Sequence, residues 1–155
     1  MAGAAEESSV VSHQSSEAAR TGIHVEGAKQ DFHQLKVWEK AHNLAVETYR
    51  ITRSFPRSEV FGLQSQMRRA SVSVASNIAE GSGRSGRAQF AQFLNQALGS
   101  ASELEYQLLL AKDLDFILPP AHERANADVV EVKRMLAALL RRVRSQTRRE
   151  AWPEN

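Results

Sequence analysis

Arg68-Arg69-Ala70-Ser71-Val72-Ser73-Val74-Ala75-Ser76-Asn77-Ile78-Ala79-Glu80-Gly81 reads as the second half of a helix that closes on a glycine turn. Met67, Ala70, Val74 and Ile78 recur at three- and four-residue intervals, the period of one helix face. Their neighbours Ser71, Ser73, Ala75, Ser76 and Ala79 are small. Small side chains let an adjoining helix approach toward the short end of the roughly 8–10 Å interaxial range. Gly81-Ser82-Gly83 then supplies the usual C-terminal stop.

Working upstream, this helix is expected to start at Ser58 as N-cap, with Glu59 in the positively polarised first turn and Phe61 and Leu63 on the buried side. A first helix is expected from about Phe32 to Ser54. Leu35, Trp38, His42, Ala45, Tyr49 and Thr52 make one stripe along it, and Val37, Leu44 and Ile51 a second. Phe55-Pro56 ends it, because proline disfavours the α region in the residue before it.

Downstream, a third helix is expected from about Arg87 to Phe116, entered at Ser85 or Gly86. Leu108-Leu109-Leu110 alone spans about 200° of arc at about 100° per residue. A helix apolar nearly all round is either central or shared with a partner chain. Pro119-Pro120 breaks the chain and opens a fourth helix, since proline is tolerated in a first turn. Val129, Val132, Leu136, Leu139, Leu140 and Val143 form its stripe, and it is expected to fray at about Arg149. No segment alternates with period two. Four helices joined by short turns predict an all-α chain folded as an antiparallel up-down-up-down four-helix bundle.

The bundle is expected to occupy residues 31–149 of the 155. Residues 150–155 form a short C-terminal tail. Residues 1–30 carry only Val10, Val11, Ile23 and Val25 as large aliphatics and read as a disordered tail. The chain has no cysteine, which excludes disulfides, thiolate metal sites and cysteine nucleophiles and fits a reducing cytoplasm. No apolar run approaches the ~18 residues of a membrane span. Met1 to Ser8 offers neither a basic nor an apolar segment of a secretory signal.

The net charge of +2 hides an asymmetry. Glu6, Glu7, Glu17 and Glu26 against Arg20 and Lys29 leave residues 1–30 at −2 and the remainder at +4. Between Val132 and Arg149 there is no acid, while Lys133, Arg134, Arg141, Arg142, Arg144, Arg148 and Arg149 supply seven bases. Such a face suits a polyanion partner. It equally suits a solvated helix end, where the macrodipole favours cations. Arg141, Arg144 and Arg148 recur at helical spacing as one candidate ridge. Arg68, Arg69, Arg84 and Arg87 are expected to form another near the turn between helices 2 and 3.

Other motifs read more plainly. Gly81-Ser82-Gly83-Arg84-Ser85-Gly86 matches G-x-G-x-x-G, but that fingerprint carries meaning only after a strand, and here a helix precedes it. Free N–H groups at the start of helix 3, beside Arg84 and Arg87, suit a phosphate; a plain helix–helix turn is the stronger reading. Arg68-Arg69-Ala70-Ser71 resembles a kinase site but lies mid-helix among packing residues. Asn77 with Glu80, and Ser100 with Glu103, share helix faces. No nucleophile, histidine or metal set completes a catalytic site there, so they read as a structural polar network that pairs with the turn backbone, Arg69 or Arg84. The histidines lack the spacing of a helical metal site. His42 reads as a core or interface residue. Trp38, Tyr49 and Phe55 can stack on unpaired bases but at helical spacing read first as core.

Asn77-Ile78-Ala79-Glu80-Gly81, with Gly99-Ser100 and Glu103-Leu104-Glu105 downstream and Val37-Trp38, Phe55-Pro56, Gly62-Leu63 and Arg69-Ala70 upstream, resembles a known pattern over about residues 32–118. It is that of the small bacterial four-helix-bundle proteins encoded in intervening sequences of 23S ribosomal RNA genes. The resemblance implies an up-and-down bundle that assembles as a ring-like homopentamer without established enzyme activity. It extends at fold level to the accessory proteins of diversity-generating retroelements, which work with nucleic acid. The expected function is therefore a non-enzymatic oligomer without cofactor or metal that binds nucleic acid, structured RNA above all. The alternative is a scaffold that docks a partner protein on helix 3.

Overall fold

The computed structural model describes residues 30–152. Four helices make up the fold: α1 (Lys36–Thr52), α2 (Leu63–Ser82), α3 (Arg87–Asp113) and α4 (Pro119–Ala151). No strand occurs among the described residues. Each helix packs against two others, in the cyclic order α1, α2, α3, α4 and back to α1, and the Cα atoms of the diagonal pairs stay more than 8 Å apart. This is a four-helix bundle. The disordered tail expected before residue 30 lies outside the described residues.

Residue numbers fall along one helix as they rise along the next. Ser73 meets Ser100 across α2 and α3, while Gly81 lies against Phe90 and Phe93. Glu105 meets Lys133 across α3 and α4, while Arg87 meets Glu150. The core between the four helices includes Met67, Val74, Ile78, Leu94, Leu104, Leu108, Val129 and Leu136, all fully buried. α2 and α3 approach closely at Gly81: a Cβ there would stand 2.7 Å from the Phe93 Cβ and 3.0 Å from the Phe90 ring. The small-residue run of α2 thus ends in a contact that only glycine permits.

The first helix departs from expectation at its start and in its buried face. Phe32–Gln34 is a 3-10 turn, and α1 begins only at Lys36. Asp31 caps the turn. Its Oδ1 accepts from the His33 backbone N–H at 3.0 Å and lies 2.7 Å from His33 Nδ1. Those two bonds, the side-chain one foremost, hold the Asp31 carboxyl below its usual range. The buried side of α1 is Val37, Ala41, Leu44, Ala45, Thr48 and Thr52, between the two stripes read from sequence. The hydroxyls of Thr48 and Thr52 can be buried because each donates to the carbonyl four residues back, at 2.8 and 2.7 Å. Trp38 is half-buried, and His42 and Tyr49 are exposed rather than core.

The α1–α2 connection corrects a second expectation. Ser58 is not the N-cap of α2: Arg57–Glu59 is a separate 3-10 turn, and α2 starts at Leu63 after Gly62. The cap is supplied from further back, by Glu59 Oε2, which accepts from the Leu63 N–H at 3.0 Å. A carboxylate there satisfies an orphan donor of the first turn. Phe61, expected on the buried side, is 96% exposed because it belongs to the turn and not to the helix.

α3 stops at Asp113 in a Schellman motif. The Phe116 N–H bonds the Ala111 carbonyl at 2.8 Å, and the Asp115 N–H bonds that of Lys112 at 2.9 Å. Asp115 occupies the left-handed position with φ 60°, where glycine is usual. α4 runs two residues past the expected Arg149, and Glu150 belongs to it rather than to a tail.

Four substitutions test this packing. Leu104→Ala removes a fully buried side chain and is expected to cost about 2–5 kcal/mol in urea unfolding. Phe61→Ala is expected to stay within about 0.5 kcal/mol. Gly81→Ala is expected to lower the thermal midpoint by a few degrees, because overpacking of about 1–3 kcal/mol outweighs alanine's helix preference of about 1 kcal/mol. Asp115→Gly is expected to raise stability by about 0.5–1 kcal/mol by relieving the left-handed strain; an unchanged or lower midpoint would show that the aspartate is not strained.

Candidate nucleic-acid interface

The fourth helix turns its charge outward because its apolar stripe must turn in. Val129, Val132, Leu136, Leu139, Leu140 and Val143 are buried. At about 100° per residue, Arg134, Arg141 and Arg148, seven apart, then fall on one line facing away from the core. Arg144 flanks that line on one side, and Arg142 and Arg149 on the other. Arg141, Arg142, Arg144, Arg148 and Arg149 are all exposed and have no ion-pair partner among the described residues. Arg134 differs, lying 3.7 Å from Glu131.

The second expected ridge separates into two places. Arg84 and Arg87 lie at the α2–α3 turn, and Arg87 Nη1 donates to Glu150 Oε1, so both adjoin the basic end of α4. Each is partly occupied. Arg84 Nη2 donates to Glu80 Oε1 at 2.7 Å, and its guanidinium lies 5.2 Å from the Phe93 ring centroid. Arg68 and Arg69 do not join them. Fourteen residues of α2 put Arg69 about 20 Å from the Gly83 turn.

Arg68 is half-buried and structural in its contacts. Its Nε donates to Thr52 Oγ1 at 2.9 Å, its Nη2 reaches the Tyr49 carbonyl at 3.4 Å, and its guanidinium lies 4.5 Å over the Tyr49 ring. It thereby ties the end of α1 to α2. Arg69 is exposed. Pairing across 16 and 19 residues leaves no periodic signal, so sequence reading could not separate these two adjacent arginines.

The expected polar network is likewise three separate contacts. Ser73 and Ser100 hydroxyls meet at 2.9 Å, and Asn77 Nδ2 donates to the Ser73 carbonyl and hydroxyl at 2.8 and 3.0 Å. Glu80 belongs to Arg84 instead. Glu103 is exposed and accepts from Gln107 Nε2 at 3.1 Å. Ser73 is the link that sequence reading missed, although its place four residues before Asn77 puts both on one face. Gln107 was missed too: it is buried, and its Oε1 has no partner.

The aromatic candidates are occupied within the fold. Phe55 is buried against Phe116, with centroids 5.4 Å apart. Trp38 stacks on His42 at 5.2 Å and meets Phe32 edge-on at 4.8 Å. They line an open apolar groove of about 540 Å³ between α1 and α2, continued by Tyr49, Val72 and Ala75. A second apolar surface lies at the end of α3, where Tyr106, Leu109, Leu114 and, beyond the helix, Leu118 are exposed. The G-x-G-x-x-G match is a helix–turn–helix: Gly83 closes α2 and Gly86 opens α3. Among the described residues no group of His, Asp or Glu could hold a metal ion, and no helix is long and apolar enough to cross a membrane.

This architecture has known counterparts. A crystal structure of a protein of unknown function from the S23 ribosomal protein family of Bacteroides thetaiotaomicron VPI-5482 superposes with a TM-score of 0.63 at 28% identity, covering 68% of this chain and 95% of that one. No curated protein matches the chain. The sequence profile described as 23S rRNA-intervening sequence protein matches residues 33–138. The match takes in α1 to α3 and most of α4 but stops before the unpaired arginines. Spanning more than half the chain, it places this protein in the 23S rRNA-intervening sequence protein family.

Proposed function

We propose that the protein is a non-enzymatic, cytoplasmic, ring-forming homo-oligomer of antiparallel up-down-up-down bundles that binds nucleic acid, structured RNA in particular, through phosphates. The observation that carries this reading is the outward face of α4. Five exposed arginines there have no carboxylate partner among the described residues, whereas Arg84 and Arg87 are paired with Glu80 and Glu150. Arginine's planar fork suits phosphate oxygens, and a dense unpaired cluster supplies the counterion release that drives polyanion binding. RNA is favoured over DNA by the family's name alone.

Two observations support the assembly. The falling and rising contact numbers between successive helices fit antiparallel neighbours. The α1–α2 groove and the exposed end of α3 are two different apolar surfaces. Two unlike surfaces suit a heterologous, head-to-tail contact, which closes into a ring when the rotation permits. A pentamer is what the resemblance implies. In a ring each arginine ridge is repeated, so weak single contacts add by avidity. The exposed Tyr106, Leu109 and Leu114 also suit the second reading, a scaffold that docks a partner protein.

Anisotropy with a labelled structured RNA tests the first reading. The triple variant Arg141→Ala/Arg144→Ala/Arg148→Ala is expected to weaken binding and to flatten the log–log salt slope by about one for each arginine removed, about three in all. Unchanged affinity and slope would remove the α4 ridge. Arg68→Ala is expected to lower stability and leave the slope unaltered. Sedimentation is expected to give a mass near five times 17.2 kDa; a monomer would overturn the ring. A specific co-purifying protein together with salt-indifferent failure to bind RNA would favour the scaffold.

A further inference from the structure

The α4 ridge ends in an aromatic ring. Trp152 is the first residue past α4 and is 82% exposed. It follows Arg134 by eighteen residues, or about five full turns, so its Cα continues the outward line of Arg134, Arg141 and Arg148, while its φ of −140° and ψ of 76° take its side chain out of the helical register. Arg148 and Trp152 are then about 6 Å apart along the axis. No ring or cation contact engages Trp152 among the described residues. The one nearby described acid, Glu150, lies on the other side of the helix and is held by Arg87.

From this juxtaposition we infer that Trp152 is a stacking platform for an unpaired base, placed beside the phosphate-binding arginines so that the ligand is single-stranded nucleic acid or an unpaired end of a structured one. The inference rests on the proposed phosphate binding and adds the ligand class. An exposed tryptophan leaves a large apolar face in water at a free-energy cost unless something covers it. Every base has a π-face, and single-strand binding commonly combines a positive track with aromatic stacking. A lipid surface is the less suitable partner. The apolar stripe of α4 is buried in the bundle, so α4 keeps no apolar stripe to lay into a membrane beside Trp152. The platform lies outside the family match and is a property of this chain.

The chain has two tryptophans. In a Trp38→Phe background the fluorescence therefore reports on Trp152 alone. The full chain is titrated at low salt with oligouridylate and oligothymidylate of about 20 nucleotides, long enough for several contacts, with a blunt duplex of the same length, and with anionic lipid vesicles. Both single strands are expected to quench Trp152, and the tighter of the two identifies RNA or DNA as the source of the bases. By anisotropy, Trp152→Ala is expected to weaken single-strand binding about tenfold, the loss of one stacked base, with duplex affinity unchanged. Trp152→Phe is expected to restore most of it. Salt-steep binding without quenching, and with no loss in Trp152→Ala, would overturn the platform and leave the phosphate reading standing. Absence of binding to every nucleic acid would overturn both. A blue-shifted Trp152 on vesicles, with no response to oligonucleotides, would overturn the platform in favour of lipid.

Discussion

Burial of the inner face of α3 against both α2 and α4 is the constraint on which the rest of the molecule depends. Leu94, Ala97, Ala101, Leu104 and Leu108 are all inaccessible to water. At about 25 cal/mol per Å² of apolar surface, a few such residues rival the net stability of a whole domain. That seam fixes the rotation of both neighbours. On the α2 side it draws the helices together until Gly81 lies directly on Phe90 and Phe93. On the α4 side it turns Leu136 and Val143 inward and leaves the arginines no direction but outward.

The charge pattern follows from that rotation. Arginines that meet a partner across a helix boundary are held: Arg68 by Thr52 and Tyr49, Arg87 by Glu150. Arg141, Arg142, Arg144, Arg148 and Arg149, on the free side of α4, have no ion-pair partner among the described residues. The same positive residue type thus serves two purposes in one chain. Exposed pairs such as Glu80–Arg84 contribute little to stability, so the unpaired cluster is better understood by its effect on a charged ligand than by its effect on the fold. Its position beyond the family-matched residues sets it apart from the bundle that carries it.

The apolar surfaces left open have the same origin. A square of four helices has no space for a nearly all-apolar helix to bury every side. α3 accordingly hides Leu108, half-buries Leu110 and exposes Leu109, three consecutive residues in three environments. The width read from sequence therefore returns as exposed Tyr106, Leu109 and Leu114, a surface suited to another protein or another copy.

Much of this was legible in the residue order. Four helices, their approximate spans and the buried stripe of α4 are local or periodic properties, and periodicity survives whatever the helix packs against. Local chemistry misled where a cap came from elsewhere: Ser58 looked like an N-cap, yet Glu59 serves Leu63 across a turn that leaves Phe61 in water. Only the tertiary structure decided that the buried face of α1 lies between its two stripes, and that Arg68 is held while Arg69 is not. It also separated these two from Arg84 and Arg87, and carried Trp152 to the end of the arginine line. The physical reason is the same in each case. A helix's period says which residues share a face, but the face that meets water is chosen by neighbours distant in the chain.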